Sequence, residues 1–180
     1  DCSGRFVVVH NGILENEEEL RAELLARGHR FKSETDTEIL THLIEEYYQG
    51  DLRAAVCQAL QRVRGSYALV VVSSDHPGQL LAARKENPVV GGVGEGEMFL
   101  ASDIPAVLQY TRQFCTLRDG EVASVTESGV EVFGVDGSSV RKEVVAIEWD
   151  PTTAERDGYE HFMLKEIYEQ PQALINAIRG

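Results

Sequence analysis

The sequence is short of the residues on which specialised architectures depend. Its three cysteines, Cys2, Cys57 and Cys115, are odd in number and far apart. They make neither a disulfide framework nor a Cys-x-x-Cys pair, so a reducing, cytoplasmic setting is expected. The five histidines, His10, His29, His42, His76 and His161, fall in different predicted elements. Their spacing assigns no metal. No apolar run is long enough to cross a bilayer, and no basic, apolar leader is recognisable. Basic side chains are scarce as well: 17 Lys and Arg stand against 30 Asp and Glu, for a net charge of −13. Such a balance repels phosphate backbones and anionic lipid, which excludes nucleic acid and membrane surfaces as expected partners. The acidic residues concentrate in Glu15 to Glu19 and Glu34 to Glu46, where they serve as solvated helix faces.

What is present suffices for one sizeable core, with 43% of 180 residues hydrophobic. Phe6-Val7-Val8-Val9 predicts a buried strand, reached almost directly from Asp1, as in a chain that begins inside a domain. Asn16 before Glu17, Glu18 and Glu19 predicts an N-cap and a helix with Leu20, Leu24 and Leu25 inward, ended by Gly28. Thr35 and Glu38 form a capping-box pattern ahead of Ile39, Leu40, Leu43, Ile44 and Tyr47, and Asp51 caps a third helix ended by Gly65. From Tyr67 the period changes to strands, at Tyr67–Val72, Leu80–Ala83, Met98–Ala101, Phe114–Leu117, Glu121–Thr126 and Val130–Val135. A short helix is expected at Asp103–Leu108. After about Asp136 the sheet is expected to be over. Asp150 to Thr153 and Arg156 to Gly158 predict an exposed connection, and His161–Arg179 a helix interrupted at Pro171.

Two loci could carry chemistry. His10-Asn11-Gly12 follows a buried strand, and in isolation Asn-Gly is a turn signal. Its alternative role is an oxyanion hole, with the Asn11 amide and the Gly12 N–H aimed at one point. Ser33 to Glu38 crowds carboxylates and hydroxyls at a helix mouth, where capping explains most of them. Asp36 is the candidate to pair with a substrate ammonium if this loop faces Asn11. Gly91 to Gly96 matches no phosphate-loop pattern and predicts a flexible hairpin turn. Cys2 lacks an identified base and is taken as an incidental thiol.

Taken together, His10-Asn11-Gly12-Ile13-Leu14-Glu15-Asn16 and Glu34-Thr35-Asp36-Thr37-Glu38 resemble the paired signature of the class II, N-terminal-nucleophile (Ntn) glutamine amidotransferases. Leu100-Ala101-Ser102-Asp103 and Lys165-Glu166-Ile167-Tyr168-Glu169-Gln170-Pro171 are similar to the glucosamine-6-phosphate synthase branch. The resemblance implies an α+β fold, a four-layer αββα sandwich of Ntn-hydrolase type with its N-terminal part missing. Residues 1–150 would be the C-terminal portion of the glutaminase domain, and 151–180 the connection and helix leading to a sugar-isomerase domain. It implies Asn11 and Gly12 as the oxyanion hole and Asp36 as the holder of the α-ammonium of L-glutamine. The nucleophilic N-terminal cysteine and a carboxylate-binding arginine have no counterpart in these residues, so the 180 residues alone are expected to be inactive. The whole enzyme would hydrolyse glutamine and pass ammonia to fructose 6-phosphate, in the cytoplasm, as a homodimer and without a cofactor. The alternatives are another class II amidotransferase, of the phosphoribosylpyrophosphate amidotransferase or asparagine synthetase type, and a non-catalytic binding module.

Overall fold

The computed structural model describes residues 1–148 and 158–179. These fall into two compact units, Asp1–Ala146 and Ile147–Gly180. The expected connection around Asp150 to Asp157 lies outside the described residues.

In the first unit the strand Phe6–Leu14 (β1) is followed by the helices Glu17–Ala26 (α1), Asp36–Tyr47 (α2) and Leu52–Arg62 (α3). A run of strands comes next: Gly65–Ser73 (β2), Gln79–Lys85 (β3), Val90–Val93 (β4), Met98–Ala101 (β5), Gln113–Thr116 (β6), Glu121–Thr126 (β7), Gly129–Gly134 (β8), Ser139–Val140 (β9) and Val145–Ala146 (β10). They build a six-stranded sheet, β1-β2-β3-β7-β8-β9, and a four-stranded sheet, β10-β6-β4-β5, with each pair of neighbours antiparallel. One core joins the inner faces of the helices, through Leu20, Ile39, Leu43, Val56 and Leu60, to Leu69, Val71 and Leu81 of the larger sheet. A second core joins Ala82, Ala123 and Val125 of that sheet to Val89 and Cys115 at the smaller one. The period of two along β2 and β3 thus feeds both cores at once, because successive side chains leave opposite faces.

Several sequence expectations give way here. β1 does not turn at Asn11-Gly12; it runs on to Leu14, held along its length by β2. Asn16 makes no side-chain cap. Its amide instead donates to the Arg62 carbonyl (2.9 Å) and accepts from the Arg64 N–H (2.9 Å), tying the start of α1 to the end of α3. The hairpin turn expected over Gly91 to Gly96 is confined to Gly94–Glu97, closed by the Gly94 N–H on the Glu97 carbonyl (2.9 Å), while Gly91 and Gly92 belong to β4, where a Cβ on Gly92 would stand 2.9 Å from Thr111 Cγ2. Asp103–Leu108 forms bends and turns without a helix. The sheets persist past Asp136 as β9 and β10. In the second unit the helix Phe162–Arg179 (α4) continues through Pro171 without interruption.

Thr35 likewise makes no cap, yet Glu38 works harder than a capping box requires. Its carboxylate accepts from the Lys32 and Ser33 N–H groups, both at 2.7 Å, and from Ser33 Oγ at 2.5 Å. Burial alone would raise its pKa, but these hydrogen bonds and one involving His42 outweigh it and hold the pKa down to about 2, from 4.5. A depressed carboxylate stabilises the fold fully above its unfolded pKa and loses that contribution as pH falls through the folded value. Glu38→Gln is therefore expected to cost about 1–3 kcal/mol near neutrality. In urea titrations the gap to the parent should shrink between pH 4.5 and about 2. A gap that widened with acid would show that the charge does not act this way.

Candidate active site

The geometry of β1 decides what Asn11 and Gly12 can do. β1 lies at the end of its sheet and, among the described residues, has a strand on one side only. The ladder beside β2 uses odd residues: the Glu15 N–H donates to the Arg64 carbonyl (2.9 Å), the Ser74 N–H donates to the Arg5 carbonyl (3.0 Å), and Asn11 stands opposite Ala68. Even residues therefore turn their N–H groups to the free edge, by the two-residue period of the strand. Leu14 shows it, for its N–H donates to Asp36 Oδ2 at 3.1 Å. The Gly12 N–H, two residues earlier, is directed to that same edge.

Side chains divide by the same alternation. Val7, Val9, Asn11 and Ile13 are exposed, whereas Phe6, His10 and Leu14 point into the helical side. Asn11 borders a cleft of about 290 Å³ lined by Val9, Ala68, Val70, Leu100 and Ser102. Pairing of the Asn11 carbonyl with Asn87 Nδ2 (3.0 Å) fixes the backbone at the rim. A cleft of similar size near His76 and Gln79 holds none of the expected site residues.

Gly12 is a glycine for steric reasons. Its φ is +145°, and a Cβ there would collide with the Ser66 carbonyl oxygen and lie 2.8 Å from its carbon and 2.9 Å from Tyr67 Cα. All three are backbone atoms of β2 that cannot swing aside.

Asp36 opens α2, where a carboxylate meets the positive end of the helix dipole. Its Oδ1 lies 3.8 Å from His10 Nδ1, which is 3.2 Å from Thr37 Oγ1. Burial pushes the His10 pKa down, and the attraction of Asp36 only partly offsets this, so the ring is neutral at pH 7. The Asp36 side chain is 22% exposed and, among the described residues, forms no ion pair with a lysine or arginine.

The structure thus brings Asp36 to β1 at Leu14, two residues from Gly12, whereas the cleft that Asn11 borders with Leu100 to Ser102 is lined by neither Gly12 nor Asp36. His10 and Asn87 escaped the sequence reading. His10 carried only the signal of its place before Asn-Gly, and Asn87 that of a turn residue before Pro88. Cys2 does not join this site; it is gathered with His29, His42 and Glu45, which the chain spacing keeps apart.

Residues 1–109 match the family described as glutamine amidotransferase domain, and the chain belongs to that family. Among curated proteins it is similar to the glutamine–fructose-6-phosphate aminotransferase (isomerizing) of Thermus thermophilus, with 53% identity over 177 residues, 98% of this chain and 29% of the relative. The enzyme of that name from Symbiobacterium thermophilum is 53% identical over 180 residues, 100% of this chain and 30% of the relative. The chain thus spans about 30% of the length of the curated relatives it matches. Among solved structures, the phosphoribosylpyrophosphate amidotransferase of B. subtilis superposes with a TM-score of 0.65 at 23% identity, over 76% of this chain and 30% of that one. At that identity the likeness concerns the fold alone, which is the expected α+β, αββα-like sandwich.

Proposed function

We propose that these residues form the glutamine site of a glutaminase, which releases ammonia from the L-glutamine side chain and delivers it to fructose 6-phosphate in amino-sugar synthesis. The observation that carries the proposal is the shared edge of β1, where the Gly12 N–H turns the same way as the Leu14 N–H that holds Asp36. Asn11 Nδ2 and the Gly12 N–H would stabilise the oxyanion as a nucleophile attacks the amide carbon, and Asp36 would hold the α-ammonium. The attacking group would be the N-terminal cysteine that the family resemblance implies, contributed from outside these 180 residues. Collapse of the tetrahedral intermediate would expel ammonia, and water would release glutamate from the acyl-enzyme.

Identity of 53% to two glutamine–fructose-6-phosphate aminotransferases, against 23% to the phosphoribosylpyrophosphate amidotransferase, favours the sugar acceptor. Residues 151–180 would lead to the sugar-isomerase domain, and the whole protein would act as a cytoplasmic homodimer. Among the described residues no helix is long and apolar enough to cross a membrane.

The test is Asp36→Asn in the protein expressed from its full reading frame. Asparagine keeps an oxygen for the Leu14 N–H, so the strand-to-helix tie survives while the charge is lost. KM for glutamine is expected to rise about 10- to 100-fold with a smaller change in kcat, and synthesis from free ammonia to persist. Equal loss with both nitrogen sources would assign Asp36 a structural role instead.

A further inference from the structure

On the helical side of the first unit four potential ligand atoms meet from three separate stretches of chain. Cys2 precedes β1, His29 follows the turn at Gly28, and His42 and Glu45 are one turn apart on α2. His29 Nδ1 and His42 Nδ1 are 3.1 Å apart. Glu45 Oε2 lies 3.3 and 3.5 Å from them, and Cys2 Sγ 3.9 and 3.8 Å. All four atoms are within 4.8 Å of one another.

The protons make this arrangement informative. His29 Nε2 is 3.0 Å from Glu46 Oε2, and a hydrogen on Nε2 would leave Nδ1 free to ligate. His42 Nε2, 3.5 Å from Glu38 Oε1, is biased the same way. Two ring nitrogens, a carboxylate oxygen and a thiol sulfur then converge on one point. A cation satisfies all four groups, and carboxylates behind ligating histidines are the usual outer shell of a metal site. Backbone groups support the same picture: the Arg30 N–H donates to Cys2 Sγ (3.3 Å), and the Cys2 N–H to Glu45 Oε2 (2.8 Å).

We propose that Cys2, His29, His42 and Glu45 form a tetrahedral zinc site that pins the segment before β1 to α2 and to the loop ahead of it. With Zn–S near 2.3 Å and Zn–N near 2.0 Å, ligand atoms around a tetrahedron stand roughly 3.3–3.6 Å apart, and the separations here bracket that range. One thiolate and one carboxylate neutralise the ion, which suits a half-buried position. Binding releases the Cys2 thiol proton to solvent while the histidines bind neutral. Four protein ligands close the coordination sphere, so the role is structural. Spacing along the chain concealed it, because Cys2 and His29 are 27 positions apart and His29 and His42 are 13 apart.

The experiment uses the full reading frame without a polyhistidine tag, equilibrated with zinc, desalted, and measured by plasma mass spectrometry. About one zinc per chain is expected, falling at least tenfold in the double variant Cys2→Ser, His29→Ala, whose circular dichroism checks its folding. Cobalt(II) in the parent protein is expected to give tetrahedral visible bands and a thiolate-to-cobalt charge-transfer band, the latter abolished by Cys2→Ser alone. A parent protein that retains less than about a tenth of an equivalent and shows no thiolate–cobalt band would overturn the proposal. So would undiminished zinc in the double variant.

Discussion

Asn11→Ala is expected to lower glutamine hydrolysis by about two to three orders of magnitude in kcat, the size found when one oxyanion donor is removed. The effect should be confined to chemistry. Asn11 is exposed, and its carbonyl still accepts from Asn87. An exposed truncation of that kind shifts stability by about 0.5 kcal/mol or less. Steady-state glutamate release and a urea titration on the same preparations separate the two readouts. Near-parental turnover in a folded variant would remove Asn11 from the oxyanion hole.

Gly12→Ala should act through the fold itself. The added Cβ meets the backbone of Ser66 and Tyr67, and the residue must still adopt φ +145°. Strain of about 1–3 kcal/mol from the dihedral angle and a comparable amount from the collision sum to about 2–6 kcal/mol, enough to part β1 from β2. Gly129→Ala supplies the control. That residue also has φ +145°, but a Cβ there has no atom within 4 Å. Thermal unfolding should show a modest drop for Gly129→Ala and a drop several times larger for Gly12→Ala. Equal drops would mean that the close approach of β1 and β2 costs nothing and that only the dihedral angle matters.

The same glycine shows how far local sequence signals reach. Asn-Gly between apolar runs favours a turn, and nothing within a few residues says otherwise. What overrules it is tertiary: β2, more than fifty positions later, pairs with β1 from Phe6 to Leu14 and presses on the one residue without a side chain. Gly65 answers from the opposite strand, with φ +114° and its own absent Cβ aimed at the Ile13 carbonyl. Where elements depend on their own periodicity, they were legible. Ile39, Leu40, Leu43 and Ile44 of α2 are buried as expected, with Thr41 and His42 buried beside them, and β5 and β7 begin and end as the pattern implies. β9 and β10 were missed because two-residue strands have no period to detect.

The site divides along the same line. Asn11, Gly12 and Asp36 stood in motifs whose order resembles one family, and the family assignment follows from residues 1–109. The approach of Asp36 to the strand edge that the Gly12 N–H faces depends on the parity of the β1–β2 ladder, which no local window contains. His10 was invisible for a related reason: a lone histidine before Asn-Gly says nothing of the α2 helix mouth that encloses it. Cys2 had no partner in its own neighbourhood and acquires three only through the return of α2 alongside the segment that precedes β1.

The most direct test of the central claim is a crystal structure of the protein from its full reading frame with L-glutamine or glutamate bound. The side-chain oxygen is expected about 2.7–3.1 Å from both Asn11 Nδ2 and the Gly12 N–H, with the α-ammonium in hydrogen-bond contact with Asp36. A ligand seated elsewhere, with Gly12 and Asp36 untouched, would contradict the account.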